Sequence, residues 1–155
     1  MERKTMTNTC MAGNRIFIDS GGFIGLVSKK DSLHHVARSF FGEIVNRKAI
    51  QITTNLVLSE TYTYLRYHEN HHTACRFLEN IRYAEKGGFL IIVYSDSLLE
   101  EKAFEILKKY SDQDLSYTDA VSFAYLETDR ETRDVFSFDS HFYLLDRNVL
   151  PLALR

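Results

Sequence analysis

The sequence predicts an α/β domain, a parallel β-sheet with helices packed on both of its faces. Three observations lead there. Short apolar runs alternate with longer segments whose apolar residues recur at helical spacing, as when each strand is returned to the sheet by a helix. One run, Phe89 to Tyr94, is apolar without interruption, as a strand covered on both faces would be. The stretch SYTDAVSFAYL, from Ser116 to Leu126, is apolar on nearly every side past its fourth residue, which places a helix in the middle of a domain.

At 155 residues the chain is long enough to bury one proper core. One proline and seven glycines, with no repeats or low-complexity runs, leave no candidate linker, so a single domain is expected. Residues 1–14 read as a polar, poorly ordered N-terminal arm and residues 15–155 as the domain. Methionines at positions 1, 6 and 11 leave the true start open. The net charge of −2 excludes a strongly basic nucleic-acid coat, but it hides an asymmetry. Residues 1–94 carry +4 and residues 95–134 carry −6, so an acidic segment follows a basic one. Cys10 and Cys75 lack C-x-x-C or zinc spacing and read as free thiols of a reducing cytoplasm. No stretch approaches a signal peptide or a membrane span.

In chain order, Arg15 to Asp19 is a short strand ending in an acid and breaking into a Ser20-Gly21-Gly22 turn. A short helix follows from Phe23 to Val27, then a longer one from Ser32 to Arg47 with Leu33, Val36, Phe40, Ile44 and Val45 inside. The strand from Ala49 to Thr54 leads into a helix from Asn55 to His68. A helix from Thr73 to Glu85 buries Phe77, Leu78 and Ile81 and ends at Gly87-Gly88. After the strand Phe89–Tyr94, Ser97 and Glu100 give an S-x-x-E start to a helix carrying Leu98, Leu99, Ala103, Phe104, Ile106 and Leu107. Beyond the helix that Ser116 opens come a strand from Asp134 to Phe138, a single helical turn near His141 and a last strand around Val149 to Leu152.

Four carboxylates are set apart by their places in this scheme. Asp19 and Asp139 end the first and fourth strands, the side of a parallel sheet where ligands bind. Asp119 lies in the first turn of the buried helix, where an unpaired charge is costly. Glu60 interrupts a side formed by Leu56, Val57 and Tyr64, with Arg66 too far along the helix to pair with it. Each acid but Glu60 could simply cap a helix, as the S-x-x-D spacing of Ser116 and Asp119 allows. Taken together they suggest acids converging on one cleft, where mutual repulsion lets them stay ionised only around cations. Hard oxygen ligands with few histidines favour Mg²⁺ or Mn²⁺ over zinc, and such ions suit phosphodiester hydrolysis.

The segments IFIDSGGFIGL, TTNLVLSETYTYLR, KKYSDQDLSYTDAVSFA and VFSFDSHF resemble the four signature segments of the PIN-domain nucleases, in family order. The similarity runs from about Arg15 to the C-terminus and is nearest the VapC-type proteins. The resemblance implies a PIN-like α/β/α sandwich with a five-stranded parallel sheet, in agreement with the five strands above. It implies that Asp19, Glu60, Asp119 and Asp139 are catalytic and bind one or two Mg²⁺ or Mn²⁺ ions, with Ser20 and Ser116 in support. The implied activity is endonucleolytic cleavage of single-stranded or looped RNA, leaving a 5′-phosphate and a 3′-hydroxyl. The protein would be the toxin of a type II toxin–antitoxin pair, silenced by an antitoxin and homodimeric. A housekeeping RNA-processing nuclease and a catalytically silent RNA-binding scaffold are the alternatives. Ser140 stands where the family often has a basic residue.

His141 and Arg66 are candidate RNA contacts. Tyr62, Tyr64 and Tyr67 could stack on bases, although one helix cannot turn all three the same way. Lys29, Lys30, Arg38, Arg47 and Lys48 could steer RNA or simply be solvated. The HENHH run reads as a solvated turn between helices rather than a zinc site, and adjacent His34 and His35 point different ways. A phosphatase that needs a second acid two residues after its nucleophile is excluded by Gly21, and Asp96 reads as a helix cap rather than a phospho-acceptor.

Overall fold

A computed structural model describes residues 11–151. The expected strands form one five-stranded, wholly parallel sheet in the order β3-β2-β1-β4-β5. Its strands are β1 (Arg15–Ile18), β2 (Ile50–Thr54), β3 (Leu90–Val93), β4 (Asp134–Phe136) and β5 (Asn148–Leu150). Six helices accompany them: α1 (Ser20–Val27), α2 (His34–Asn46), α3 (Asn55–His68), α4 (His71–Lys86), α5 (Ser97–Lys109) and α6 (Tyr117–Thr128), with a 3₁₀ turn at Ser140–Leu144. Successive strands run outward from β1 in both directions. The connections therefore diverge between β1 and β4, the switch point at which open α/β sheets leave a crevice.

Helix α6 is buried without a break from Asp119 to Ala124, as its composition demands. It packs against α5 and presses Phe123 and Tyr125 towards the sheet, where Phe142 meets Phe123 and Phe17 meets Tyr125 at ring-centroid distances of 5.2 and 6.1 Å. On the opposite face Phe136 meets Phe40 edge-on at 5.1 Å. Because Phe17 pairs with Val135 and Ile18 with Phe136, the strand alternation delivers one aromatic layer to each face.

Several local expectations are corrected. Ser20-Gly21-Gly22 is the first turn of α1, not a separate turn. A Cβ on Gly22 would lie 2.7 Å from the Phe136 carbonyl oxygen, so glycine there lets the helix begin hard against β4. Val36 and Val45 are 37% and 52% exposed, and Ala37, Phe40 and Ile44 form the buried stripe of α2. The run Phe89–Tyr94 is not covered on both faces. Strand β3 is an edge strand, and Phe89, Ile91 and Tyr94 are exposed. Helix α4 starts at His71, capped by the Asn70 side chain on the Thr73 N–H, so His71 and His72 are helical. The S-x-x-E start at Ser97 is not the cap of α5: Asp96, read as a helix cap, takes that role and accepts from the Leu99 N–H at 2.8 Å.

The end of the sheet away from the crevice is held by polar contacts. The buried Asp134 accepts from the Ala12 and Gly13 N–H groups and from Asn148 Nδ2, each at 3.0 Å, which docks residues 11–14. Arg15 bridges to Asp129 at 3.1 Å, and Arg147 donates to the Thr132 carbonyl at 2.9 Å beside the end of α6. Among the described residues no helix is long and apolar enough to cross a membrane. Cys10 lies outside the described residues.

Candidate active site

Four different elements deliver the four acids. Asp19 is the residue between β1 and α1, and its backbone N–H donates to the Phe136 carbonyl of β4 at 3.1 Å. Glu60 stands in the second turn of α3, whose start is fixed by Thr54 accepting from the Val57 N–H. Asp119 is the third residue of α6. Its Oδ2 accepts from the Ser116 N–H, and its own N–H donates to Ser116 Oγ, both at 3.0 Å. Asp139 caps the 3₁₀ turn by accepting from the His141 N–H at 2.9 Å. The capping roles allowed by the sequence for Asp119 and Asp139 are therefore real. They also fix where the remaining lone pairs point.

Electrostatics ties the four together. Burial first, then the neighbouring Asp119 charge and more weakly Glu60, push the Asp19 carboxyl up to about 7; the Ser20 N–H and the Ser137 hydroxyl oppose the rise. Asp119 is raised by burial and by Asp139, against its hydrogen bonds to Ser116 and the nearby His141. Glu60 lies at the solvent-facing rim. Loss of hydration around its carboxyl, with the charges of Asp119 and Asp139, still raises it, while hydrogen bonds from Thr118 and Ser20 hold it back. Each of these shifts has burial and a neighbouring acid among its causes, so the four carboxylates share one cleft. Among the described residues no lysine or arginine forms a salt bridge with any of them.

The donor set fits a hard divalent cation. Asp19 is 3% exposed, and its Oδ1 has no hydrogen-bond partner, a buried lone pair with nothing to neutralise it. One ligand atom each from Asp119, Asp139 and His141 lie within 4.8 Å of one another. A donor set made mostly of carboxylate oxygens suits Mg²⁺ or Mn²⁺. The cleft beside Asp19 and Asp139 has a volume of about 300 Å³ and is walled by Ser20, Gly21, Ile24, Phe138 and Ser140. A larger, more apolar groove of about 600 Å³ lies between α2 and α4, away from every one of these acids.

The other candidates divide. Ser20 and Ser116 hydrogen-bond to Glu60 and Asp119 respectively. His141 is inside the cluster rather than at its rim, with Nδ1 3.1 Å from Asp139 Oδ1 and 4.0 Å from Asp119 Oδ2. Arg66 is exposed in the last turn of α3, six residues beyond Glu60 and roughly 9 Å along the axis. Tyr62 and Tyr64 pack on the core, Tyr64 stacking on His68, whereas Tyr67 is exposed. His34 bonds the Gly25 carbonyl and takes no part in the cleft.

Two contributors escape a reading of the sequence. The buried Ser137 donates to Asp19 Oδ2 at 3.1 Å and accepts from the Asp139 N–H at 3.0 Å. Its signal was a hydroxyl between two phenylalanines at a buried strand end. Thr118, which donates to Glu60, had none beyond its place before Asp119.

Comparison with known proteins gives a consistent answer. No family profile matches the chain. It is 35% identical over 129 residues to a VapC ribonuclease of Archaeoglobus fulgidus, covering 82% of this chain and 78% of the relative. It is 27% identical over 127 residues to the 23S rRNA-specific endonuclease VapC20 of Mycobacterium tuberculosis, covering 82% of this chain and 91% of that protein. The crystal structure of VapC20, described as a sarcin-ricin loop cleaving toxin, superposes with a TM-score of 0.72 over 84% of this chain and 97% of that one, at 24% identity. That likeness shows the shared fold. With the first relative's identity and coverage added, the chain belongs to the VapC-type family of PIN-domain endoribonucleases.

Proposed function

We propose that this endoribonuclease hydrolyses single-stranded or looped RNA at the carboxylate cleft, with Asp19, Glu60, Asp119 and Asp139 holding one or two Mg²⁺ or Mn²⁺ ions. The observation that carries the reading is the unpartnered, buried Oδ1 of Asp19 among acids that raise one another's pKa. A purely structural role gives no reason to keep this arrangement, since clustered buried acids destabilise a fold unless a cation joins them. A divalent ion supplies such a site with Lewis acidity, acidifying the attacking water and offsetting charge on the leaving oxygen.

The protein's own groups prepare for that chemistry. Ser137 orients Asp19 and fixes the Asp139 backbone, so the two strand ends hold their carboxylates at a set separation. The capping box ties Asp119 Oδ2 to the Ser116 N–H and so sets the direction of its carboxylate. Glu60, steadied by Ser20 and Thr118, faces the open side from which a polynucleotide would enter. Direct attack by water at phosphorus, with the 3′-oxygen leaving, would give products with 5′-phosphate ends.

By analogy with VapC20, whose name specifies 23S rRNA, a structured rRNA loop is the substrate class to test first. We further propose that the chain is the toxin of a two-component pair, acts in the cytoplasm as a homodimer and is silenced by an antitoxin. Sequencing RNA ends after induced expression, wild type beside Asp19→Ala, tests the reading. New 5′-phosphate ends clustered at one loop, absent from the variant, are expected. Identical end profiles for the two proteins would refute it.

A further inference from the structure

We propose that His141 is a nitrogen ligand of the divalent ion and tilts the site's preference from Mg²⁺ towards Mn²⁺. The inference rests on the carboxylate metal site proposed above and adds a ligand of different chemistry to it. His141 Nδ1 is 3.1 Å from Asp139 Oδ1 and 4.0 Å from Asp119 Oδ2. Ligand atoms around a small octahedral ion lie about 2.9 Å apart when adjacent and about 4.1 Å apart when opposite. His141 Nδ1 also hydrogen-bonds with Asp139 Oδ2 at 3.4 Å, and one ligand atom from each of the three side chains lies within 4.8 Å of the others, a grouping that a single ion can draw into a coordination shell. Independently, Asp19 lines the same cleft as Asp139 with a buried oxygen that has no partner, a further vacant donor.

The ring is held in place by the backbone beneath it. The His141 N–H is committed to Asp139 Oδ1 at 2.9 Å, and the next residue, Phe142, is fully buried between Phe17 and Phe123. A ligand anchored this way loses little freedom on binding an ion. An all-oxygen site suits Mg²⁺, whereas an imidazole nitrogen shifts preference towards transition-metal ions.

The test is electron spin-echo spectroscopy of Mn²⁺ on the full chain, with calorimetric Mn²⁺ and Mg²⁺ titrations of wild type, His141→Ala and His141→Gln. Modulation from a directly bound nitrogen is expected in the wild type and not in either variant. Mn²⁺ affinity should fall by about tenfold or more, the scale that even groups behind the ligands command, and Mg²⁺ affinity should fall less. The wild-type spectrum decides the question even if a variant fails to fold. Mn²⁺ bound without nitrogen coupling overturns the proposal and leaves the carboxylate site standing. So does tighter binding of both ions by His141→Ala, which would make the ring a cation filling the ion's seat. A wild type that binds no Mn²⁺ overturns both.

Discussion

Ser137 donates its hydroxyl hydrogen to Asp19 Oδ2 across 3.1 Å, and Ser137 Oγ itself accepts from the Asp139 N–H at 3.0 Å. One buried hydroxyl therefore fastens the end of β1 to the end of β4, where the sheet's connections diverge. Ser137→Ala strips a bond from a buried carboxylate and orphans a backbone donor, at a cost of about 1–3 kcal/mol. For a chain of this size that lowers Tm by several degrees. The Ser137 bond holds the Asp19 pKa down, so its loss moves the acidic limb of the pH–rate profile to higher pH. A melt and a rate profile on one preparation check both.

The acid cluster sets a pH dependence opposite to that of paired carboxylates. Asp19 titrates at about 7 in the fold, against an ordinary value of 3.8, so the folded state binds the extra proton. Its contribution to stability is complete below about 4 and is lost as pH rises through about 7. Asp119 and Glu60 shift in the same direction. The metal-free protein should therefore melt lower at pH 8 than this cluster would allow at pH 5.5. Added Mn²⁺ should raise Tm more at pH 8, where protons no longer compete. A hundredfold excess over Kd gives about 2.7 kcal/mol. Equal metal-induced shifts at both pH values would count against a shared site.

Asp129 supplies a control at the other pole of the molecule. Burial opposes its ionisation, yet hydrogen bonds from Thr132, Tyr125 and Arg15 hold it down at about 2, while burial first, then the hydrogen bond to Asp129 and its charge, lift Tyr125 to about 12. Its stabilising contribution is present above about 4 and is lost as pH falls through about 2. Asp129→Asn should destabilise by about 1–3 kcal/mol while cleavage per folded molecule stays unchanged. Denaturant titration beside an active-site-normalised rate separates the two effects.

Gly22 joins fold and site. A Cβ there meets the Phe136 carbonyl oxygen at 2.7 Å and its ring at 3.1 Å, so Gly22→Ala must push α1 away from β4. Overpacking of this kind costs about 1–3 kcal/mol. Because α1 begins next to Asp19, cleavage should fall further than Tm alone would predict. Gly42→Ala, with open space around its Cβ, should do neither.

The sequence made the site's components legible wherever local chemistry betrays them. Ser116 and Asp119 announce a capping box and Asp19 announces a strand end, and the structure keeps both; β4 stops at Phe136 rather than Phe138, so Asp139 stands three residues past the strand and caps the 3₁₀ turn. Burial was harder to read. Val36 and Val45 are apolar on a helix whose inner stripe passes through Ala37, Phe40 and Ile44, and spacing alone does not say which side the sheet will cover. Phe89 to Tyr94 is apolar throughout, so it carried no sign that β3 would be an edge. His141 was equally opaque. Its two carboxylate neighbours include Asp119, far away in the chain, and only the packing of α6 against the sheet brings them together.

The proposed catalysis turns on four carboxylates from four elements acting through divalent ions, and single-turnover cleavage of a looped RNA under titrated Mg²⁺ measures this most directly. Cleavage should rise saturably with Mg²⁺, stop on chelation, and fall a hundredfold or more in Asp119→Asn, about 2.7 kcal/mol of transition-state stabilisation. Cleavage at the wild-type rate by Asp119→Asn, or in chelator, would contradict it.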